Sequence, residues 1–285
     1  SLQTEQTRSD VRGVLGLSRR FAGRADARLG LQALLTGRRI RFDDLLGEFG
    51  VGAQDTDDHG RSWRTRGTLE LSPHDLLDTT LVLEGSGYRY DPDDALNAFD
   101  EPTSQRQSVS GTAEANLHGG RDGRLWSVRP SVRVQGSFGQ NKELRLGRIQ
   151  TFTARDVMPT FRLGTAFSPV SGLSITASVF RGARLPTQLE LSDRGMVRAN
   201  PALQAGTGLG GDLGVLVQAG REELCVRLEV RGHMRRDDDL IRARRTSQSQ
   251  TVFENIESAR VAGVESSGEL QLSQHLQVAG MFSYL

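Results

Sequence analysis

Two stretches of the chain carry residue types at spacings that could do chemistry. Gly206–Gly211 satisfies the GxGxxG pattern of a loop that cradles a dinucleotide phosphate. That chemistry needs a strand before the glycines and a helix after them, so that the helix N-terminus meets the phosphate. Asp212–Gln218 instead continues with the two-residue period of a strand. The pattern therefore predicts a flexible loop that closes on a strand, and no nucleotide site.

The second stretch is acidic. Asp55–Gly60 begins like a calcium-binding loop, but its twelfth position is Arg66, where an EF-hand needs a bidentate Glu. The substitution excludes an EF-hand. Two interpretations stay open. One is a solvated acidic loop; the other is an irregular calcium site that also uses three later aspartates, Asp91, Asp93 and Asp94.

Enzymatic chemistry has little support in the sequence. The five histidines are scattered without HExxH spacing, and no GxSxG elbow occurs. Cys225 is the single cysteine, which excludes a disulfide framework and a cysteine-based zinc site. The favoured interpretation is a chain that is not an enzyme and has no catalytic residue, cofactor site or metal site. A protease or lipase whose site carries no recognised motif stays open.

Composition narrows the class of protein further. Lys+Arg 36 against Asp+Glu 35 gives a net charge of +1, so no global field is available to hold nucleic acid. No apolar run approaches the roughly 18–20 residues of a transmembrane helix. A hydrophobic share of 36% is still compatible with a membrane barrel, because such a barrel alternates apolar and polar residues and averages to mild polarity.

The dominant period along the chain is two. In Leu224–Val230 every second residue, beginning with Leu224, is apolar. The residues between them are Cys225, Arg227 and Glu229, and Arg231 continues this second set. Trp126–Val134 and Leu276–Tyr284 repeat the pattern. Such alternation predicts strands with one apolar and one wet face. A soluble sandwich and a membrane barrel both have such strands.

The lengths of the connections favour the barrel. About twelve strands are predicted, near 10–18, 25–36, 61–71, 76–88, 105–118, 124–137, 157–167, 172–182, 208–217, 223–234, 260–272 and 275–285. Tight turns alternate with long connections around 37–60, 89–104, 138–156, 183–207 and 235–259. Short periplasmic turns and long extracellular loops are typical of an up-and-down transmembrane barrel. The predicted fold class is therefore an all-β, antiparallel, transmembrane up-and-down β-barrel, with residues 1–285 as part of one barrel domain.

A series of short motifs resembles the TonB-dependent receptor family. The series contains an Arg-Gly-x-Arg-x-Pro stretch, an Asn-Pro-x-Leu loop, an acidic-Leu-Ile strand entry, and Asn-Ile followed by Gly-Val-Glu. The positions that carry the resemblance are Arg181, Gly182, Pro186, Asn200, Pro201, Asp239, Leu240, Ile241, Asn255, Ile256, Gly263 and Glu265. The resemblance covers about the last two-fifths of the chain.

The resemblance implies a location, a function and a set of partners. It implies a bacterial outer-membrane receptor that imports a scarce ligand, such as an iron–siderophore, cobalamin or a glycan. The implied partners are outer-membrane lipid, a plug domain, the inner-membrane TonB energy-coupling complex and a ligand such as an iron chelate. A passive porin or structural barrel is the alternative.

The resemblance also implies that the sequence is an interior part of a wall of about 22 strands. The plug domain and the last strands would then lie outside it. We accordingly expect no backbone ladder between Val11–Ser18 and His275–Leu285.

Charged side chains leave two questions open. Arg129, Arg133, Arg227, Glu229 and Arg231 fall on the polar faces of strands, where they would line the pore or contact a plug. Arg181, Arg184, Arg235, Arg236 and the run Asp237–Asp239 fall near loop bases, where they would contact ligand or anchor loops through salt bridges.

Overall fold

A computed structural model describes most of the chain. The described residues are 5–21, 26–44, 54–91, 93, 103–121, 124–145, 148–191, 197–198, 200, 202–221, 224–247, 251–273 and 276–285. They form one antiparallel sheet in which each strand pairs with the next along the chain. The sequence of strands in the sheet is β1 to β8, then β10 to β13, while the two-residue strand β9 pairs with β12 in parallel.

The strands are long. Their bounds are β1 Glu5–Phe21, β2 Asp26–Asp44, β3 Gln54–His74, β4 Leu77–Asp91, β5 Ser104–Arg121, β6 Arg124–Arg145, β7 Arg148–Val170, β8 Leu173–Arg184, β9 Val197–Arg198, β10 Gly206–Arg221, β11 Leu224–Arg245, β12 Thr251–Ser273 and β13 Leu276–Tyr284. One four-residue helix, α1, spans Gln188–Leu191. All twelve predicted strands are confirmed, and most of them extend well beyond their predicted ends.

The alternation separates two faces, which we call the apolar face and the polar face. Leu224, Val226, Leu228 and Val230 lie on the apolar face and are 52%, 44%, 47% and 40% exposed. Their cross-strand partners continue that face, because Val230 pairs with Val215 and Leu228 pairs with Val217. No second sheet covers the apolar face within the part of the chain that the structure describes. This arrangement excludes a sandwich for these strands.

Antiparallel pairing of consecutive strands places every tight turn at one rim, as expected. In the turn between β7 and β8, a backbone hydrogen bond joins this rim to β10. Gly172 has φ +84°, a conformation that side-chain-bearing residues rarely adopt, and its carbonyl accepts a hydrogen bond of 2.6 Å from the Gln218 amide on β10. We call the edge of the sheet that carries the tight turns the turn rim, and the opposite edge the loop rim.

The predicted long connections are wrong in three places. The predicted connection 138–156 is a continuation of the β6–β7 hairpin, whose pairing extends to Arg145 and Arg148. The predicted connection 235–259 is similarly paired up to Arg245 and Thr251. The predicted connection 37–60 is paired up to Asp44 and Gln54. At the loop rim the chain therefore projects as long hairpins as well as loops.

Little of the molecule is buried. Within the described residues the buried apolar side chains are Pro186, Leu191, Leu203 and Ala205, all between β8 and β10. Among those same residues there is no helix with the length and apolar character needed to cross a membrane. In the described part of the chain the sheet thus lacks a conventional core, and its buried apolar side chains lie beside the loop rim.

Candidate functional site

The segment 185–205 is called the inner segment here, and those of its residues that the structure describes lie on the polar face. Its first anchor is Arg106 on β5, whose guanidinium donates to the Pro186 carbonyl and, over 3.1 Å, to Ser137 Oγ on β6. Pro186 lies two residues beyond the end of β8, so this contact spans the width of β6 and β7. The inner segment therefore extends back across the polar face instead of projecting away from the sheet.

Arg106 is held in a charged but enclosed setting. Burial lowers the pKa of its guanidinium, while the carboxylates of Asp156 and Glu190 act in the opposite direction. The pKa of an arginine starts so high that the group stays protonated. A half-buried permanent cation thus lies under the inner segment and fixes its carbonyl.

Glu190, in α1, supplies the second anchor. Its side chain is only 4% exposed. It accepts a hydrogen bond of 2.5 Å from Arg184 Nη2 and one of 2.7 Å from the Thr187 amide. The carboxylate therefore closes the first turn of the inner segment back onto the end of β8.

The third anchor is a pair of asparagines. Asn255 on β12 donates through Nδ2 to the carbonyls of Asp239, at 2.7 Å, and Gln204, at 3.0 Å, and its Oδ1 accepts from the Gln204 amide at 2.9 Å. Asn200 donates through Nδ2 to the Phe253 carbonyl at 2.8 Å. The end of the inner segment is thereby bound to β12 through backbone groups.

Asp239 contributes its backbone to this anchor. It has φ +56°, the left-handed conformation in which Asp is one of the few tolerated non-glycine residues. The strained residue belongs to β11, and its carbonyl is the group that Asn255 binds. A change in backbone direction within β11 is thus paired with a side chain that stabilises it.

The structure brings together part of the predicted motif set. Pro186, Asn200, Asp239 and Asn255 all belong to the anchors of the inner segment. Gly182, Ile241, Gly263 and Glu265 lie on the polar face at other points, and Arg181, Leu240 and Ile256 lie on the apolar face. Pro201 lies outside the described residues. Four of the motif positions therefore share one contact network, and the other described positions lie elsewhere on the strands.

Sequence reasoning missed Arg106, and it named Arg184 without its partner Glu190. Arg106 stands alone on a strand, 80 positions before the carbonyl that it binds, so no local spacing marks it. The sequence around it, Thr103–Ser108, is polar throughout and gives Arg106 no distinguishing feature.

The rest of the polar face is charged. Arg129 donates to Asn116 at 3.0 Å, and Ser178 hydrogen-bonds to Asp212. These strands surround an open depression of about 360 Å³ whose charged lining consists of Glu114, Arg129, Arg162, Asp212 and Arg231. Mixed charge of this kind suits water or a polar protein surface, and an apolar ligand would find few contacts.

Most of the acidic residues at the loop rim form ion pairs. Asp57 accepts from Arg39, which lowers the pKa of the Asp57 carboxyl, and Asp55 lies 3.9 Å from Arg41. No group of three His, Cys, Asp or Glu side chains that could hold a metal is present in the residues that the structure describes, and Asp94 is not among those residues. The solvated, salt-bridged interpretation of this acidic stretch is the one that the geometry favours.

Charged residues near the loop bases also form ion pairs. Arg235 pairs with Asp237 at 2.6 Å, and Arg236 pairs with Asp238 at 3.1 Å. Both pairs lie within β11, and Arg184 pairs with Glu190 at the end of β8. For these residues the geometry favours the salt-bridged alternative.

A single long-stranded antiparallel sheet with an exposed apolar face and a charged opposite face defines the wall of a membrane β-barrel. Comparison with known families identifies the wall more closely. The family model described as "TonB dependent receptor-like, beta-barrel" matches residues 3–285. The chain therefore belongs to the TonB-dependent receptor β-barrel family.

Solved structures agree on the fold. The copper transporter OprC matches with a TM-score of 0.73 at 13% identity, over 95% of this chain and 46% of that one. The FrpB iron transporter from Neisseria meningitidis matches with a TM-score of 0.66 at 13% identity, over 98% and 43%. The ferric yersiniabactin uptake receptor FyuA from Yersinia pestis matches with a TM-score of 0.60 at 13% identity, over 97% and 42%. This chain spans less than half the length of these structures, and no curated protein matches it in sequence.

Proposed function

We propose that this chain is wall from an outer-membrane receptor that imports a scarce ligand with energy supplied by the inner-membrane TonB complex. The observation that carries the proposal is the inner segment, which is fixed across the polar face by Arg106, Glu190 and Asn255. Membership of the receptor family over residues 3–285 favours a receptor over an open diffusion pore. A receptor gains a rigid surface on which a ligand can be held until the pathway opens.

The charged polar face supports the same function. A barrel of about 22 strands encloses a lumen that is filled by a plug. Glu114, Arg162 and Asp212 offer hydrogen-bond donors and acceptors of both signs to such a plug. The apolar face contacts outer-membrane lipid, and a net charge of +1 gives nucleic acid no general site.

The ligand class follows from the structural relatives only by analogy. The printed names of three of them concern copper, iron and ferric yersiniabactin. We propose a metal ion or metal chelate as the leading ligand class, with cobalamin or a glycan as the other candidates.

An uptake experiment tests the proposal. The full-length protein is expressed in the outer membrane of a host that lacks its own receptors, and uptake of radiolabelled ferric chelates, copper and cobalamin is followed with and without a functional TonB complex. Uptake of one probe that requires the complex is the expected result. Uptake that is equal without the complex would instead identify a passive porin, and no uptake of any probe would contradict metal ions, metal chelates and cobalamin as ligands.

A further inference from the structure

A depression with a positively charged lining lies on the polar face beside the first anchor of the inner segment. Its volume is about 250 Å³, and its lining includes Arg64 on β3, Tyr88 on β4 and Arg106 on β5. Arg64 is opposite Ser86, which is opposite Ser108, and the two serine hydroxyls are hydrogen-bonded at 2.7 Å. No carboxylate belongs to this lining in the described part of the chain, whereas the 360 Å³ depression on the same face has both signs of charge.

Arg64 provides an uncompensated cation at one side of the depression. Its side chain is exposed, and the residues opposite it on the neighbouring strands are Leu34 and Ser86, which carry no charge. Arginine stays protonated at any physiological pH. The guanidinium of Arg64 is therefore available to an anion that enters the depression.

Arg106, at the other side, is bound to different partners. Its guanidinium donates to the Pro186 carbonyl and to Ser137 on β6, so these hydrogen bonds hold it on the β6 side of its own strand. The carboxylates of Asp156 and Glu190 also act on its charge, and each of them accepts a hydrogen bond from another side chain. Arg106 can thus turn toward the depression without leaving either carboxylate unpaired.

An anion in the depression is a better partner for Arg106 than the Pro186 carbonyl. A carboxylate attracts a guanidinium by its full charge and accepts two parallel hydrogen bonds from it, whereas the carbonyl accepts one. Pro186 is fully buried, and a buried carbonyl that loses its donor carries a desolvation penalty. The penalty disappears when the start of the inner segment lifts into water.

We propose that the depression binds a ligand with several carboxylates between Arg64 and Arg106, and that this ligand takes Arg106 from Pro186 and releases the inner segment. β3 and β5 are two strand spacings apart, roughly 10 Å, so both arginines can bind one small polyanion. Among the proposed ligands the site selects a metal chelate with carboxylate groups over a bare metal ion. The inference rests on the proposed function, because the import pathway brings the ligand to the polar face.

Binding is tested with the full-length protein in detergent micelles. The probes are tricarballylate, which has three carboxylates, and its neutral trimethyl ester, and isothermal titration calorimetry measures both. We expect tricarballylate to bind about tenfold more tightly, the equivalent of about 1.4 kcal/mol. Equal binding of the two probes would overturn the site.

Hydrogen exchange tests the release. The Thr187 amide donates to Glu190 beside the first anchor, whereas the Gln204 amide donates to Asn255 at the other end of the inner segment. Tricarballylate should accelerate exchange at Thr187 and leave exchange at Gln204 unchanged. Binding without acceleration at Thr187 would overturn the coupling between ligand and inner segment.

Two arginine variants separate binding from anchoring. Arg64→Gln should lose the preference for tricarballylate and keep slow exchange at Thr187, because the anchors of the inner segment do not include Arg64. Arg106→Gln should show fast exchange at Thr187 without any probe, and tricarballylate should not increase it. Fast exchange in Arg64→Gln without a probe would contradict this division of roles.

Arg66→Gln is the matched control. It removes the same charge from the next polar-face position of β3, outside the lining of the depression, and should behave like the wild type. A loss of preference equal to that of Arg64→Gln would show a general effect of charge and would overturn the site. Heat-modifiable gel mobility reports whether each variant assembles, and Arg64→Gln alone decides the question of binding if Arg106→Gln does not fold.

Uptake in cells distinguishes this inference from the proposed function. A protein that discriminates the two probes and releases Thr187, but imports nothing, would retain the site and lose the proposed function. A protein that imports a ligand with the TonB complex, but binds both probes equally, would retain the proposed function and lose the site.

Discussion

Asn255 illustrates how single side chains organise the loop rim. Its amide binds a strained carbonyl in β11 and both backbone groups of Gln204, so one residue joins β12, β11 and the inner segment. The other anchors work in the same way, with Arg106 and Asn200 bound to backbone carbonyls. The path of the inner segment is therefore determined by side chains that cap backbone groups, together with the packing of Pro186, Leu191, Leu203 and Ala205.

Replacing Asn255 should release the end of the inner segment. Asn255→Ala removes three hydrogen bonds, each worth roughly 1 kcal/mol in net stability. We expect faster hydrogen exchange at the Gln204 amide, which loses its acceptor, with little change in the overall unfolding of the barrel. Asn116→Ala, which removes the contact with Arg129 on the same face, is the matched control and should leave that exchange unchanged. Unchanged exchange in Asn255→Ala would contradict the anchoring role.

A second residue-scale prediction concerns Trp63 on the apolar face. The indole of Trp63 lies over Gly87, where an added Cβ would overlap the ring nitrogen. Gly87→Ala should therefore displace the indole and destabilise the barrel by about 1–3 kcal/mol. Gly136→Ala adds the same methyl group to the same face at a position with nothing within 4 Å, and should be nearly neutral. Urea unfolding in vesicles, followed by tryptophan fluorescence, compares the two variants.

At the scale of elements, the long strands have a part within the membrane and a part beyond it, and the surroundings of the two parts differ. Between the rims, one face meets lipid and the other meets water, which produces the two-residue alternation seen in Leu224–Val230. Beyond the membrane both faces are wet, and the alternation disappears although pairing continues to Arg245 and Thr251. This is why the sequence predicts a connection over 235–259 where the structure has a hairpin.

The orientation of β11 can be tested by placing a charge on each face. Leu228→Arg puts a guanidinium into lipid and should cost about 2–4 kcal/mol if the residue lies near the midplane. Glu229→Arg changes the next residue, which faces the lumen, and should cost much less. Folding titrations in lipid vesicles measure both. An equal cost for the two variants would contradict the assignment of faces.

The extended part of the β11–β12 hairpin depends on ion pairs. Glu254 accepts from Arg244 Nε at 2.6 Å and from Arg242 Nη2 at 3.1 Å, and these hydrogen bonds lower the pKa of its carboxyl. Because the folded pKa is depressed, the contribution is complete above the ordinary Glu pKa and is lost as pH falls through the folded value. Neutral pH therefore leaves the hairpin intact.

A pH titration checks this expectation. Hydrogen-exchange protection at Ala243, relative to an unfolded peptide, should fall only in strongly acid solution in the wild type. Glu254→Gln should show weaker protection at neutral pH and no further acid-dependent loss. The same pH profile in both proteins would show that other groups control the hairpin.

At the scale of the whole molecule, the sheet pairs in chain order from β1 to β13 without a closing ladder among the described residues. β1 pairs with β2 and β13 pairs with β12, which agrees with the expectation that 10–18 and 275–285 do not meet. In lipid an unpaired edge exposes N–H and C=O groups, each at a cost of several kcal/mol. We therefore propose that further strands border both edges in the complete barrel.

Cross-linking in the full-length protein tests the two edges. In a Cys225→Ser background, Val11→Cys with Val278→Cys should form no disulfide, because further strands separate the two positions. Val215→Cys with Val230→Cys places thiols on directly opposite residues and should cross-link readily. An efficient link between positions 11 and 278 would indicate a barrel closed by these twelve strands.

The sequence by itself determined the twelve long strands, their chain-order pairing and the faces of their alternating segments, and it missed only the two-residue strand β9 among the described strands. Those properties follow from local alternation, because a strand between lipid and water must repeat every two residues. The sequence also predicted the motif positions Asn200, Asp239 and Asn255 from a family resemblance, without their contacts. Their common role depends on a register that local patterns do not contain.

Only the tertiary structure decided where the inner segment goes and which charges stand side by side. Arg106 contacts Pro186 because β6 and β7 set the distance between β5 and the end of β8. Arg236 lies opposite Arg260 because the register of β11 and β12 aligns these two residues. Both contacts are long-range consequences of register. A one-residue slip would leave each local pattern intact and move every side chain to the other face.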